Sequence, residues 1–414
     1  MEYASMNFIE LPFFTNLLIL LVLARVLGEL AERLGQPAMI GEILAGIMLG
    51  PSVFNLIHKT DEIGTISELG VFLLVIIAGL EIRLDDILRS LKGKNIIISI
   101  LAFFLPLLSG LGVGFLFGKE AMVTVFLGLC IAITALPVSI RMLMDMGKLD
   151  SEIGKKIITV AVFDDVLALT ILGLIINIEH TDKSFTAIAT VASISLVKLL
   201  LFLLLLGVIH YAMKRLSRKE HFIEDQLNKL VNGLKAKESL YALLFIFILI
   251  FAMITESLGF HFIIGAFFAA MLLDGNLIGK NHVHAFGKTT NGMAMSFLSP
   301  IFFAGIGLEF SYASIADYGL LFTVLAVSFF SKIMGGYLGG KLSGLDGMSA
   351  FTIGIGLNGR GIMELVIANI AYTSGMINLE IFSILVIMGI VTTLTTPILL
   401  KWSFARLEKS TESS

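Results

Sequence analysis

With a single cysteine, Cys130, the 414-residue chain can close no internal disulfide and build no thiol-ligated metal cluster. Charge is scarce as well. Asp, Glu, Lys and Arg make up 15% of the chain, where a soluble domain carries about a quarter. The 29 basic and 32 acidic residues nearly cancel, and no basic patch with interleaved aromatics is found, which removes nucleic acid from the expected partners. The opening MEYASMNFIELPFF holds two acids and no basic stretch, so no cleavable signal peptide is expected. What the chain does have is 57% hydrophobic residues. They are gathered in runs long enough to cross a bilayer, which makes this an all-α polytopic membrane protein.

About thirteen such runs are separated by short charged or Gly/Pro punctuation: 12–30, 38–57, 64–81, 95–117, 121–143, 155–177, 185–213, 239–257, 261–279, 291–308, 317–339, 348–372 and 378–402. Cytoplasmic loops are enriched in Lys and Arg. With the N-terminus outside and the C-terminus in the cytoplasm, only Lys59, Lys119 and Lys183 of the loop cations fall on the outer side. The one long polar stretch, 214–238, reads as an amphipathic cytoplasmic linker on the membrane surface. It divides the chain into 1–213, which carries Asp164 and Asp165, and 239–402, which carries Lys332, followed by a short cytoplasmic tail, 403–414.

Asp164 and Asp165 stand together within Ile157 to Ile175, IITVAVFDDVLALTILGLI, which is otherwise apolar or small. Hydrocarbon cannot solvate an ionised carboxylate, so adjacent aspartates in mid-span point to a cation or proton site. Lys332, in Ser331-Lys332-Ile333-Met334, is the most isolated cation of the chain. Carboxylate and carbonyl oxygens are hard ligands and suit an alkali cation better than a transition metal. No other cofactor is implied. Two carboxylates so close in low dielectric do not both ionise cheaply, so cation and proton compete for one place.

The chain also repeats itself. Residues 34–46, LGQPAMIGEILAG, align with 258–270, LGFHFIIGAFFAA, at an offset of 224, and Gly79-Leu80-Glu81 aligns with Gly307-Leu308-Glu309 at 228. The second copy lies seven spans further along the chain than the first. An odd number inverts the second copy, the pattern of secondary transporters that bind near the bilayer midplane where broken helices meet. Thr134 plus 224 is Asn358. Around the first, Pro137 removes a backbone donor and disfavours helix at Leu136; around the second, Gly354, Gly356, Gly359 and Gly361 weaken the helix. Both stretches are expected to open in mid-membrane, with Thr134 and Asn358 offering neutral oxygens. Arg360 and Glu364, spaced i and i+4, read either as a structural pair fixing the second break or as residues with a role in transport. Glu42 lies in an apolar run where a neighbouring helix can satisfy it, and Glu81 and Glu309 end their spans as residues facing water.

The run from Ala132 to Leu143, AITALPVSIRML, followed by Ala161-Val162-Phe163-Asp164-Asp165-Val166, resembles the core of the monovalent cation:proton antiporter superfamily, in the branch with NapA-type, Kef-type and CHX transporters. Asn358-Gly359-Arg360-Gly361-Ile362-Met363-Glu364 is similar to that branch's later unwound segment, and the resemblance runs from about Leu17 to Pro397. It implies crossed discontinuous helices, a core packed on a dimerisation domain, and a homodimer that exchanges Na+ or Li+ for protons in pH homeostasis. It further implies that Asp165 takes the cation or proton and that Asp164 pairs with Lys332. An Asp-Asp pair goes with electrogenic exchange. The CHX-like later segment leaves K+/H+ exchange open, and a channel or sensor on the same fold is the remaining alternative. No nucleotide-binding tail of the Kef type is expected, since the chain runs only about twelve residues past Trp402. A protease is not expected: an intramembrane aspartyl protease needs carboxylates from two helices, and these share one.

Overall fold

The computed structural model describes residues 12–81, 94–149, 151–179, 185–218, 237–273 and 280–412. Most of the expected cytoplasmic linker, 219–236, lies outside them. Most of the described residues in the apolar runs are helical, as a chain in lipid satisfies its own backbone. In order they form α1 (Phe13–Arg33), α2 (Ala38–Leu49), α3 (Asp61–Glu81), α4 (Asn95–Leu116), α5 (Ala121–Ala132), α6 (Leu136–Asp145), α7 (Glu152–Glu179) and α8 (Phe185–Arg218). There follow α9 (Lys237–Ser257), α10 (Phe262–Leu272), α11 (Lys280–Met293), α12 (Ser299–Glu309), α13 (Tyr318–Leu342), α14 (Gly347–Gly356), α15 (Ile362–Thr373) and α16 (Leu379–Glu412). A π-turn, Ala294–Leu298, joins α11 to α12. Pro300 cannot donate to the carbonyl four residues back, and the turn before it widens accordingly.

Among the described residues, nine helical stretches, with α11 to α12 counted as one, are long and apolar enough to cross a membrane. The other four expected spans contain shorter helices. Run 38–57 is helical only to Leu49, and 261–279 holds α10; runs 121–143 and 348–372 are each broken into two helices, α5/α6 and α14/α15.

The repeat is visible in backbone detail. Helix α9 is α1 displaced by 224 residues at both ends. Each is closed by a left-handed glycine, Gly35 at φ 72° and Gly259 at φ 88°, a conformation that costs a residue with a Cβ. The closing hydrogen bonds also correspond: Gln36 N–H donates to Ala31 O at 2.9 Å, and Phe260 N–H donates to Thr255 O at 2.9 Å. Gly41 and Gly265 then let the following helix press onto the preceding one. A Cβ at either would lie 2.0 Å from Leu27 O or 2.2 Å from Phe251 O, and these partners too are 224 apart.

The chain forms two compact units. One comprises Met1–Gly70 and Met293–Ala313. Its core gathers Leu20, Ala24, Ala45, Ile63, Ile301 and Ala304, and Glu42 is buried there with Arg25 Nη1 3.5 Å away. Glu309, expected to face water, is instead paired with Lys59 at 2.6 Å and mostly covered. The second unit comprises Val71–Gly292 and Ser314–Ser414. Glu81 lies in it with an exposed side chain, as expected. Here α13 packs between α4 and α14 through small residues. Gly335 and Gly339 meet the α4 backbone, and Gly336 meets Gly354 of α14.

A Cβ at Gly354 would lie 2.3 Å from Ile333 O. Gly354→Ala is therefore expected to destabilise the fold by about 1–3 kcal/mol through overpacking, read as an earlier loss of monodisperse protein on heating in detergent. Gly112→Ala, at a helical position with nothing within 4 Å, is expected to be neutral or slightly stabilising.

Candidate functional site

The site lies in the second unit, where the two interrupted spans cross. Helix α5 ends at Ala132 and the chain runs extended through Ile133 to Ala135 before α6 begins, with Pro137 in its first turn. Proline suits that place because a first-turn N–H has no partner within the helix. The second span opens between Gly356 and Ile362. The openings are stitched together: Ala135 N–H donates to Gly359 O at 2.9 Å, a pair again 224 residues apart.

An α-helix leaves its last four carbonyls without an internal donor and is negative at that end. At the end of α5, two cations from the later half of the chain take all four. Arg360 Nη1 donates to Cys130 O and, at 2.7 Å, to Ile133 O, while Nη2 donates to Ile131 O. Lys332 Nζ donates to Ala132 O, and also to Ala102 O of α4 at 3.0 Å. Both side chains are fully buried.

Helix α7 runs unbroken past this crossing and presents the two aspartates about 100° apart around its axis, so they face different neighbours. Asp164 Oδ2 lies 2.7 Å from Lys332 Nζ and accepts a hydrogen bond from the Thr134 hydroxyl at 2.7 Å. The same hydroxyl lies 3.0 Å from Leu357 O, so Thr134 ties the carboxylate to both breaks. Asp165 is equally buried, yet neither of its oxygens receives a hydrogen bond from the described residues, and Asp164 Oδ1 is likewise unpartnered. A carboxyl without donors in a buried place is costly as an anion. It is thus available to a proton or a cation.

A family model described as sodium/hydrogen exchanger, transmembrane, matches residues 17–405. The chain belongs to that family. Among similar exchangers, the Na+/H+-K+ antiporter GerN of Bacillus cereus is 29% identical over 408 residues, covering 98% of this chain and all of GerN. The Na+/H+ antiporter NhaS4 of Synechocystis is 30% identical over 416 residues, 93% of this chain and 96% of NhaS4. Cation/H+ antiporter 18 of Arabidopsis thaliana is 29% identical, with this chain matching 48% of its length. The solved structure of the sodium proton antiporter MjNhaP1 from Methanocaldococcus jannaschii has the same fold. It superposes with a TM-score of 0.64 at 18% identity, over 95% of this chain and 96% of that one.

The exchanger brings Asp164, Lys332 and Thr134 into direct contact, with Asp165 beside them on α7. Asn358 stands elsewhere in the crossing. Its amide Nδ2 lies 3.4 Å from Thr396 Oγ1 of α16, and its Oδ1 has no partner among the described residues. The Arg360–Glu364 pair is a correction. Arg360 precedes Gly361, the residue that caps α15, and so is not on the helix that carries Glu364. Its guanidinium turns to α5, and both Glu364 oxygens are left without a hydrogen bond. Sequence reasoning missed the carbonyls of Ala102, Ala132 and Leu357, which carry no side-chain signal. It also missed α16, whose Thr393 hydroxyl donates to Arg360 O at 2.7 Å. The run Thr392-Thr393-Leu394-Thr395-Thr396-Pro397 within the last apolar span was the available clue.

Proposed function

We propose that the protein is a secondary transporter that exchanges Na+, and with it Li+, for protons by alternating access, and that it performs no enzymatic reaction. The observation that carries this reading is the buried Asp165 with two unpartnered oxygens beside the closed Lys332–Asp164 pair. An incoming cation competes with the proton on Asp165 and with the ammonium of Lys332 for Asp164. Once Lys332 turns away, Asp164 Oδ2, the Thr134 hydroxyl and the carbonyls of Ala132 and Ala102 are hard oxygen ligands for an alkali ion. Lysine is suited to this exchange, since a buried ammonium gives up its proton far more readily than a guanidinium. Two groups that each release a proton for one bound cation make the exchange electrogenic.

The names of GerN, NhaS4 and the Enterococcus hirae antiporter support Na+ as the cation. The K+ in GerN's name and the plant cation/H+ antiporters support K+ exchange as the second reading. The working form is a homodimer in the cell membrane, with the N-terminus outside, the C-terminus in the cytoplasm and the 214–238 linker on lipid. The halves 1–213 and 239–402 act as inverted repeats joined by that linker, with 403–414 as a cytoplasmic tail. Proteoliposomes given Na+, Li+ or K+ against an imposed pH gradient, with and without a voltage clamp, test the reading. Coupled, voltage-sensitive proton movement is expected with Na+. Cation flux that moves no protons would make the protein a channel.

A further inference from the structure

Glu364 has no part in the scheme above, yet its carboxylate is as buried and as bare of hydrogen bonds as that of Asp165. Its side chain is 1% exposed, and neither oxygen accepts a hydrogen bond from the described residues. It sits in the first turn of α15, facing α16. An ideal Cβ built on Gly389 would lie 3.7 Å from one of its oxygens and 3.8 Å from the other. Gly389 is position 165 plus 224, the same offset that joins Ala135 to Gly359 across the crossing. Where the first half of the chain has Asp165 on its long helix, the second half has a glycine. The space that glycine leaves is taken by a carboxyl reaching across from the neighbouring helix.

We propose that Glu364 is a second exchangeable proton site, the counterpart in the second half of the chain of the Asp165 site, which releases its proton when the cation binds. This rests on the reading of the protein as a cation/proton exchanger. No described residue donates a hydrogen bond to the Glu364 carboxyl oxygens in the state described. Arg360 is the cation whose charge reaches Glu364, but it gives the carboxylate no hydrogen bond and spends both terminal nitrogens on the carbonyls of α5. Helix α16 has no charged residue between Ile381 and Leu400, and α5 has no titratable side chain except Cys130. The other buried ions of the crossing, Lys332 and Asp164, are paired with each other. Cation binding that draws Lys332 from Ala132 O disturbs the α5 terminus to which Arg360 also holds. The second break, and Glu364 in its first turn, are thereby coupled to the first.

The test counts protons released when Na+ is added to the purified protein in weakly buffered detergent solution, for the native chain, Glu364→Gln and Asp165→Asn. Release per bound cation is expected to fall by up to about one proton in Glu364→Gln, because that share of the coupled titration is removed. Native-like release in Glu364→Gln across the pH range, with Asp165→Asn silent, would overturn the proposal alone. Undiminished release in Asp165→Asn would instead sink the exchanger site itself. Should Glu364→Gln not fold, Glu364→Asp keeps the acid and gives a second reading. In cation-induced infrared difference spectra, the carboxylic-acid band lost on Na+ binding is expected to shift with that substitution. A band that does not move overturns the proposal.

Discussion

Asp165→Asn is expected to reduce Na+-driven proton movement in proteoliposomes to the level of protein-free vesicles while the protein expresses and purifies like the native chain. The two halves of this expectation have separate causes. An amide neither takes up a proton near neutrality nor offers a full negative charge to a cation, so the competition that couples the two ions disappears. Stability should change by no more than about 1 kcal/mol, because no hydrogen bond to Asp165 from the described residues exists to be broken. Exchange at native rates in Asp165→Asn would remove this residue from the mechanism. Silent exchange accompanied by aggregation would trace the loss to folding instead, and the thermal midpoint in detergent separates the two.

Lys332→Met is expected to do both kinds of damage. Its ammonium is the partner of Asp164 Oδ2 and a donor to Ala132 O and Ala102 O. A methionine fills the volume of the stem but strands a buried carboxylate, and breaking a buried ion pair from one side costs about 3–5 kcal/mol. Asp164→Asn in the same chain removes the stranded charge. The double variant is therefore expected to recover much of the lost stability, a coupling measured as a double-mutant cycle. It is not expected to recover electrogenic exchange, because the ammonium that yields to the cation is gone. Equal destabilisation by the single and double variants would mean that the two carbonyls, and not Asp164, are what Lys332 chiefly serves.

The parts of the site that were legible in the sequence are those where a side chain violates its surroundings. Asp164, Asp165 and Lys332 are charges in apolar spans, and Pro137 and the cluster around Gly359 are breakers in runs that ought to be helical. The internal offset then located one break from the other, and the structure joins them at Ala135 and Gly359. Arg360 was misassigned because i,i+4 spacing carries meaning only along a continuous helix, and the helix begins after it. Its real partners are backbone carbonyls some 230 residues earlier, and a carbonyl looks the same in every sequence. The Glu309–Lys59 pair was hidden for a similar reason, since the two are 250 residues apart and each alone reads as a span-end charge. Glu364 stood in plain view, but its importance lies in the absence of donors around it, which only packing reveals.

The cations that close the end of α5 also constrain how the protein can be made. Lys332 and Arg360 are translated about 200 and 230 residues after the carbonyls they satisfy. Until they arrive, α5 ends in open carbonyls at membrane depth, beside an aspartate with no counter-ion. Such a terminus is tolerable only while water or another protein can reach it. The first half of the chain is thus inserted before it can be finished, and it depends for completion on segments translated much later. A product truncated before Lys332 would present the membrane quality-control machinery with an unpaired negative site where the longer chain has Asp164 and the α5 carbonyls partnered.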